Sequence, residues 1–279
     1  MKRLLVFIAS VALLVSCNCT DKISVMSFNI RLSPNDQFDG DNSWLYRKSA
    51  AVGMIQEVSP DLFGIQEGLF DQVNYLNDNL PEYGRYGVGR DDGQERGEAN
   101  AIFYKKERFE MLDCGTFWLS ATPDSVSRGW DGACNRVVTW TRLKDKKGKG
   151  KEIFFFNTHF DHIGTIAREE SGKLIVSRIK EMVPEGTPVF LTGDFNANYD
   201  NSILAPIRGF MKMAREESPV SDTLNTFNNW GKTVPMDGQN IIDHIFCKNA
   251  TPFKYETLTG SYGVQFVSDH YPIIAYFNI

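Results

Sequence analysis

The sequence lacks an excess of basic residues. Its 279 residues include 30 Lys and Arg against 35 Asp and Glu, which gives a formal net charge of -5 at pH 7. Proteins that hold polyanions through a broad surface normally carry excess positive charge there. The composition therefore argues against that mode of binding and leaves open an enzyme that contacts one phosphate at a time.

Several common catalytic and metal-binding motifs are also missing. The chain has no Gly-x-Ser-x-Gly and no Walker A pattern, which excludes a nucleophile-elbow serine hydrolase and a P-loop enzyme. No internal repeat and no Pro/Ser-rich linker divides the chain, and 42% hydrophobic residues is ordinary for a globular protein with a sizeable core. We therefore predict one domain over residues 23–279.

The five cysteines show neither a Cys-x-x-Cys pair nor a zinc-type spacing with histidine. They stand at positions 17, 19, 114, 134 and 247. An exported context would permit disulfides, but the sequence does not select a pairing. We expect Cys114 and Cys247 to be buried free thiols.

The N-terminal segment is typical of an export signal. Lys2 and Arg3 precede an apolar run from Leu4 to Val15, which is too short to span a bilayer. The run ends in Ser16-Cys17, which resembles the bacterial lipobox, so Cys17 is the predicted lipidation site. Residues 1–17 are then a lipoprotein signal peptide and 18–22 a tether, and the chain is exported and lipid-anchored to a bacterial membrane, facing the periplasm or the cell surface. The alternative is an ordinary signal peptide with an accidental cysteine.

Buried strands that end in polar side chains recur along the chain. Apolar segments over 23–28, 61–67, 153–159 and 189–194 lead to Asn29, Glu67, His159 and Asp194. Amphipathic helices are predicted at 44–58, after residue 67 and running to about residue 80, and from about 166 to 183. This alternation predicts an α/β fold of two packed sheets with helices outside them.

Further strands are expected at 85–88, 100–104, 109–119, 137–143, 241–246 and 273–277. The basic cluster 144–151 reads as a hairpin turn. Loops 89–98 and 120–135 are long and polar, so we expect them to form the rim of a substrate site.

Acidic, amide and imidazole side chains at strand ends form the predicted site. They are Asn29, Glu67, His159, Asp194, Asn196, Asp243, Asp269 and His270. Carboxylate oxygens suit Mg²⁺ or Mn²⁺, whereas the histidines could also indicate zinc. A phosphodiester needs its charge neutralised, a water activated and a leaving oxygen stabilised, and these groups could serve all three needs.

Five short motifs stand at the predicted strand ends, and they are Ser27-Phe28-Asn29-Ile30-Arg31, Ile65-Gln66-Glu67, Gly193-Asp194-Phe195-Asn196-Ala197, Ile242-Asp243-His244-Ile245 and Ser268-Asp269-His270-Tyr271-Pro272. Together they resemble the endonuclease/exonuclease/phosphatase superfamily, which includes the pancreatic-type deoxyribonucleases. The resemblance covers nearly the whole predicted mature chain. It implies a four-layer α/β sandwich, with two packed mixed β-sheets flanked by helices.

The resemblance also implies roles for individual residues. Glu67 would be the principal ligand of Mg²⁺, with Mn²⁺ as a second option, and Asn29 and Asp269 would lie near the same ion. Arg31 stands where some relatives have an acidic residue, so a second metal site is not implied.

Further roles follow from the same likeness. Asp194 and Asn196 would orient the nucleophile and the scissile phosphate. His270, held by Asp243, would take the proton of the water or bind the phosphate, and His159 would assist the leaving group.

Substrate-binding candidates lie on the predicted rim. Glu98 and Asn100 stand where the family often has a histidine-orienting or phosphate-binding pair, although a loop-to-strand turn explains them nearly as well. Arg136 is a candidate phosphate clamp. Asp161 and His162 either bind substrate or form hydrogen bonds within their loop, and the second alternative is favoured. We expect Trp118 and Trp130 to be core residues rather than stacking platforms.

The predicted function is that of a Mg²⁺-dependent hydrolase of a phosphate ester or phosphodiester, with a nuclease among the options. The alternatives are a non-catalytic binding lipoprotein and a phosphatase or phosphodiesterase for a small metabolite or phospholipid head group. The expected partners are a phosphorylated small molecule or a nucleic acid and, through the anchor, a membrane. No obligate protein partner is indicated.

Overall fold

The computed structural model describes residues 21–33, 36–147, 150–232 and 240–279. The predicted signal peptide, its Cys17 and most of the tether lie outside these residues. Among the helices that the structure describes, none is both long enough and apolar enough to cross a membrane.

Two six-stranded sheets form the centre of the domain. The first sheet contains β1 (Lys22–Asn29), β2 (Leu62–Gln66), β3 (Tyr83–Tyr86), β4 (Ile102–Lys105), β11 (Thr251–Thr257) and β12 (Ile273–Asn278), in the order β11-β12-β1-β2-β4-β3. The second contains β5 (Phe109–Trp118), β6 (Val137–Asp145), β7 (Glu152–His159), β8 (Val189–Asp194), β9 (Lys212–Met213) and β10 (Asp243–Lys248), in the order β5-β6-β7-β8-β10-β9. Each sheet mixes parallel and antiparallel pairs.

Helices cover the outer faces of both sheets. The helices are α1 (Asp36–Asp39), α2 (Trp44–Val58), α3 (Phe70–Asn79), α4 (Thr165–Met182), α5 (Ala205–Arg208) and α6 (Ala214–Glu217). Apolar side chains of α2 and α3 pack on the first sheet, and those of α4 pack on the second. A third apolar cluster fills the space between the sheets. The predicted four-layer sandwich is therefore confirmed.

Strand β7 shows how its sequence selects this position. Phe154 and Phe156 project towards α4, whereas Ile153 and Phe155 project towards the other sheet. Successive side chains of a strand point to opposite faces, so a continuous apolar run requires both faces to be covered. A central strand between two buried layers meets that requirement.

A buried polar cluster also joins the two sheets. Asn157 Oδ1 accepts hydrogen bonds from Gln66 Nε2 at 2.7 Å and from Thr192 Oγ1 at 2.9 Å, while its amide donates to the Ile65 carbonyl at 2.7 Å. Gly64 lies against this cluster, where an added Cβ would overlap Asn157 and Thr192. The sheets can approach closely here because that residue has no side chain.

The structure corrects three sequence-based predictions. Strand β11 was not predicted, because Pro252 and a bulge beside it interrupt the strand pattern. Strand β3 begins at Tyr83 and not at residue 85. The three cysteines within the described residues are free thiols, but Cys114 is only half-buried, since it lies on the edge strand β5, whereas Cys247 is buried as expected.

Candidate active site

The topology brings the predicted strand ends to one edge of the sandwich. Strands β7 and β8 are parallel, which places His159 beside Asp194, and antiparallel β10 begins with Asp243 opposite Asp194. In the first sheet, parallel β1 and β2 end together at Asn29. Strand β12 runs antiparallel to β1, so the segment that precedes it, with His270, reaches the same edge.

A cavity of about 490 Å³ opens at this edge. Its lining includes the predicted site residues Glu67, Glu98, Arg136, His159, Asp194, Asn196, Asp269 and His270. Three predicted residues are not in the lining, namely Asn29, Asn100 and Asp243. Both loops that were expected to form the rim contribute to the wall, through Arg90 and Glu98 from one and Cys134 from the other.

Asn29 connects the carboxylates of the two sheets. Its buried side-chain amide donates to Glu67 Oε1 at 3.1 Å and to Asp194 Oδ2 at 3.0 Å, while its Oδ1 accepts from the Arg31 amide at 3.0 Å. The Leu32 amide donates to the other oxygen of Glu67 at 3.2 Å. The positions of both carboxylates are thus fixed from below the cavity.

Two residues at the site adopt left-handed backbone conformations. Glu67 has φ 62° and Asn196 has φ 46°, and each follows the end of a central strand. Such a conformation is uncommon for residues other than glycine, and it tends to occur at functional sites that the surrounding structure holds in place. At Asn196 the backbone amide donates to Asp194 Oδ1 at 2.9 Å, which stabilises the turn.

His270 and Asp243 form a buried pair. Nδ1 of His270 lies 2.8 Å from Asp243 Oδ2, and Nε2 of the same ring lies 3.7 Å from Asp194 Oδ2. Burial alone would lower the pKa of His270, but the negative charges of Asp243 and Asp194 outweigh it and raise this pKa to about 10. Burial, followed by the charge of Asp243, raises the pKa of Asp194 to about 7.

His159 faces the same carboxylate from the other side. Its Nε2 lies 3.1 Å from the side-chain amide nitrogen of Asn196 and 3.5 Å from Asp194 Oδ2. Because the amide of Asn196 donates, Nε2 accepts, and the proton of the neutral ring is then on Nδ1, 3.9 Å from Glu98 Oε2. Burial and the positive charge of Arg136 lower the pKa of His159 well below its usual value.

The outer wall contains an arginine–carboxylate cluster. Arg90 Nη1 donates to Glu98 Oε2 at 2.6 Å, and Arg136 Nη1 lies 3.7 Å from the same oxygen. Arg136 Nη2 lies 3.2 Å from Nδ1 of His162. Asn100 is not part of this wall, because its amide donates to the Val137 carbonyl at 2.9 Å within the core.

Asp161 forms hydrogen bonds with its own loop and with the neighbouring loop, which agrees with the alternative that was favoured from the sequence. Its oxygens accept from the backbone amides of Ile163 and Gly164 and of neighbouring Ala133 and Cys134. Burial would raise the pKa of Asp161, but these amides lower it to about 2. His162, in contrast, lines the cavity.

The structure adds site residues that the sequence did not reveal. Arg90, Phe227 and Trp230 line the cavity, and only Arg90 had a signal, since it lies in a predicted rim loop. Both tryptophans considered from the sequence were expected in the core, and this prediction is confirmed for Trp118 but wrong for Trp130. Trp118 is buried, with its indole nitrogen donating to the Arg90 carbonyl, whereas Trp130 is 39% exposed.

Three groups of described side chains on this edge have the spacing of metal ligands, and in one of them, Asp194, Asp243 and His270, the last two already form a hydrogen bond with each other. Glu67, His159 and Asp194 each offer an atom within 4.8 Å of the others, and Asp269 lines the same cavity. Burial raises the pKa of Asp269, and the negative charge of Glu67 raises it further, whereas His270 lowers it. The negative charge of these carboxylates is therefore costly at this position, and a bound cation would reduce that cost. Oxygen donors of this kind fit Mg²⁺ or Mn²⁺.

The third group fits a metal ion less well. Cys134, Asp161 and His162 also lie within 4.8 Å of one another. However, the oxygens of Asp161 already accept four backbone hydrogen bonds, and the guanidinium of Arg136 lies 3.9 Å from one of them. A nearby positive charge disfavours a cation at this position.

Comparison with known proteins identifies the family. Residues 26–270 match the Endonuclease/Exonuclease/phosphatase family. The protein belongs to this family. Family members hydrolyse phosphoesters and usually use divalent metal ions, so the chain is an enzyme of that class. The family and the fold expected from the five motifs are both confirmed.

Two solved structures of the family are similar over nearly their whole length. An endonuclease/exonuclease/phosphatase from Bacteroides vulgatus is 37% identical, with a TM-score of 0.87, and the match covers 93% of this chain and 99% of that one. A mannosyl-6-phosphatase from Bacteroides thetaiotaomicron VPI-5482 is 34% identical, with a TM-score of 0.86, and the match covers 92% of this chain and 100% of that one.

A curated relative is similar over a shorter segment. Nocturnin from Drosophila melanogaster is 28% identical over 180 residues, which cover 60% of this chain but 26% of Nocturnin. The chain thus matches about a quarter of that longer protein, and the similarity concerns this shared segment alone.

Proposed function

We propose that this family member is a Mg²⁺-dependent phosphatase that releases phosphate from a sugar phosphate by attack of water. The observation that carries the proposal is the convergence of Glu67, Asp194 and His270, from distant parts of the chain, on one cavity. The similarity to a mannosyl-6-phosphatase over all of that chain favours a sugar phosphate as substrate. The net charge of -5 gives no support to a broad nucleic-acid surface.

The side chains expected to hold the cation are Glu67, Asp194 and Asp269, with Asn29 fixing the first two. A bound Mg²⁺ would supply neutralisation of the phosphate oxygens and a lower pKa for water. Mn²⁺ prefers similar oxygen ligands and could replace it.

The imidazole and amide groups, together with Asp194 and Asp243, position the substrate and the attacking water. Asp243 fixes the ring of His270 through Nδ1, so Nε2 is directed towards the phosphate and the attacking water. Asp194 and Asn196 orient the nucleophile and the phosphate. His159, on the far side of Asp194, lies where it can assist the departing alcohol oxygen.

The test is a substrate panel with the purified mature chain in Mg²⁺ or Mn²⁺. It includes hexose phosphates, p-nitrophenyl phosphate, dinucleotides, single- and double-stranded DNA, RNA, phosphoinositides and sphingomyelin. We expect turnover of a hexose phosphate, its loss in chelator, and a decrease of about a hundredfold or more in Asp194→Asn.

The matched control is Asp78→Asn, which makes the same change at an exposed position on α3 and should keep wild-type turnover. Hexose phosphate turnover that persists in chelator and in Asp194→Asn would refute the mechanism. Binding without cleavage across the panel would favour the non-catalytic alternative, and cleavage of nucleic acid alone would favour a nuclease.

We also propose that the chain is exported and anchored through Cys17. The support is the sequence pattern of the N-terminal segment, with Ser16-Cys17 directly after the apolar run. Expression of the full chain in a bacterium that processes lipoproteins should yield a membrane-associated, acylated product. Cys17→Ala should abolish acylation, and acylation that persists in this variant would refute the assignment.

A further inference from the structure

We propose that Arg90, Glu98 and Arg136 form a subsite that binds hydroxyl groups of the substrate's leaving alcohol. This inference rests on the proposed sugar-phosphate phosphatase function and assigns the part of the cavity that would recognise the sugar. Glu98 Oε2 lies 3.9 Å from Nδ1 of His159, whose Nε2 lies 3.5 Å from Asp194. A single imidazole ring therefore separates the cluster from the position where phosphate is expected.

The cluster holds hydrogen-bond donors that lack acceptors. Arg136 is 6% exposed, and its Nε and Nη1 atoms have no hydrogen-bond partner among the described residues. The nearest carboxylate oxygens, on Glu98 and Asp161, are 3.7 and 3.9 Å away, beyond hydrogen-bond distance. Nε of Arg90 is buried and unpaired as well. Because buried donors without acceptors are costly, oxygen atoms of a bound molecule are the expected partners.

The same cluster offers an acceptor. Glu98 accepts the hydrogen bond of Arg90 through Oε2, and none of the described residues donates to its Oε1. Asp161 has no such capacity, because backbone amides already occupy its oxygens. The available pattern is therefore guanidinium donors beside one carboxylate acceptor.

Charge balance decides between a hydroxylated group and a second anion. The two positive charges of Arg90 and Arg136 are matched by the negative charges of Glu98 and Asp161 within 4 Å. A second phosphate would gain little net attraction and would meet the Glu98 carboxylate. A hydroxyl group donates and accepts at once, so it can satisfy both the carboxylate and the guanidinium groups.

Part of the cavity wall is aromatic, which suits the carbon atoms of a small alcohol. Phe227 and Trp230 line the same cavity. Binding sites for small molecules commonly combine apolar and aromatic lining with a few placed polar groups. A sugar ring has both kinds of surface, whereas an unsubstituted aryl alcohol lacks the hydroxyl groups that the cluster would recognise.

The experiment compares Arg136→Lys with wild type on mannose 6-phosphate and p-nitrophenyl phosphate, both in Mg²⁺. Lysine keeps the charge but loses the planar fork of donors. We expect the ratio of kcat/KM for the sugar phosphate to kcat/KM for the aryl phosphate to decrease at least about tenfold. Arg142→Lys, an equivalent change at a partly exposed position of β6, should leave this ratio unchanged.

Equal losses on both substrates would overturn the inference, because Arg136 would then act on the phosphoryl group. If Arg136→Lys decreases kcat/KM for a hexose bisphosphate but not for mannose 6-phosphate, the cluster binds a second phosphate and not a hydroxyl group. The melting temperature of each variant verifies that it is folded.

A binding measurement separates failure of the subsite from failure of the proposed function. Calorimetry would use Asp194→Asn with mannose 6-phosphate and with inorganic phosphate. We expect the sugar phosphate to bind at least about tenfold more tightly, and Arg136→Lys in the same background to remove this difference. If the wild-type protein hydrolyses neither mannose 6-phosphate nor p-nitrophenyl phosphate, the proposed function is wrong. The binding comparison would still show whether the hydroxyl-binding subsite exists. Equal binding of the two ligands by Asp194→Asn would refute it.

Discussion

Replacing Arg47 by methionine should destabilise the whole domain. Arg47 lies on α2 and is 1% exposed. Its guanidinium donates to four backbone carbonyls, those of Asn42 at 2.6 Å, Ile30 at 2.8 Å, Val267 at 2.8 Å and Arg31 at 3.1 Å. One side chain thus joins the start of α2 to the loop after β1 and to the segment before β12 that contains Asp269.

The expected magnitude follows from these contacts. A hydrogen bond to a charged group contributes about 1.5–3 kcal/mol, and removing one side of a buried network leaves its acceptors unpaired. Methionine retains most of the side-chain volume, so the packing between the rings of Trp44 and Trp230 is largely kept. Because such contributions are not additive, we expect the free energy of unfolding to decrease by about 3–5 kcal/mol.

The assay is urea denaturation followed by far-ultraviolet circular dichroism. Arg96→Met is the matched control, since the Arg96 side chain is 76% exposed, and its effect should stay within about 0.5 kcal/mol. A decrease of less than about 1 kcal/mol in Arg47→Met would refute the reasoning, because the four carbonyls would then find other partners at little cost.

Three further predictions concern other parts of the domain. Gly64→Ala should lower the free energy of unfolding by about 1–3 kcal/mol in urea denaturation, since the new methyl group would overlap Asn157, and an unchanged midpoint would contradict this. Cys247 is fully buried and its burial raises the pKa of the thiol to about 12, so peptide mapping after alkylation should detect its modification only in unfolded protein. Asp243→Asn removes the charge that holds His270, so kcat should decrease about tenfold or more in steady-state assays while the melting temperature shows a folded protein.

The strand ends could be predicted from sequence because their signal is local. An apolar run such as 153–156 can be covered on both faces only in a central strand, and the same strand ends at His159, three residues after the run. Because β7 and β8 are parallel and β10 is antiparallel to β8, His159, Asp194 and Asp243 lie at the same edge of the sheet. The family likeness supplied the expectation of two packed mixed sheets, whereas local periodicity does not contain the order of the strands within them.

Other site residues depended on contacts distant in sequence. Asn100 was grouped with Glu98 because the two stand where the family often has a substrate-binding pair, yet the Asn100 side-chain amide donates to the Val137 carbonyl in the core. Trp230 lies in an irregular segment with no periodic pattern, and its φ of 57° is a backbone conformation that composition does not predict. Which face such a residue presents is decided by the packing of other segments against it.

Joining the two sheets is what creates the candidate site at this edge. Glu67 directly follows β2 of the first sheet, Asp194 is the last residue of β8 in the second, and like charges held this close repel each other. The Asn29 amide donates to both carboxylates, and Asn157 Oδ1 accepts hydrogen bonds from Gln66 and Thr192 across the same interface. The hydrogen bonds between the sheets therefore hold acidic groups in an arrangement that repulsion alone would open, and a divalent cation would find its oxygen ligands already in place.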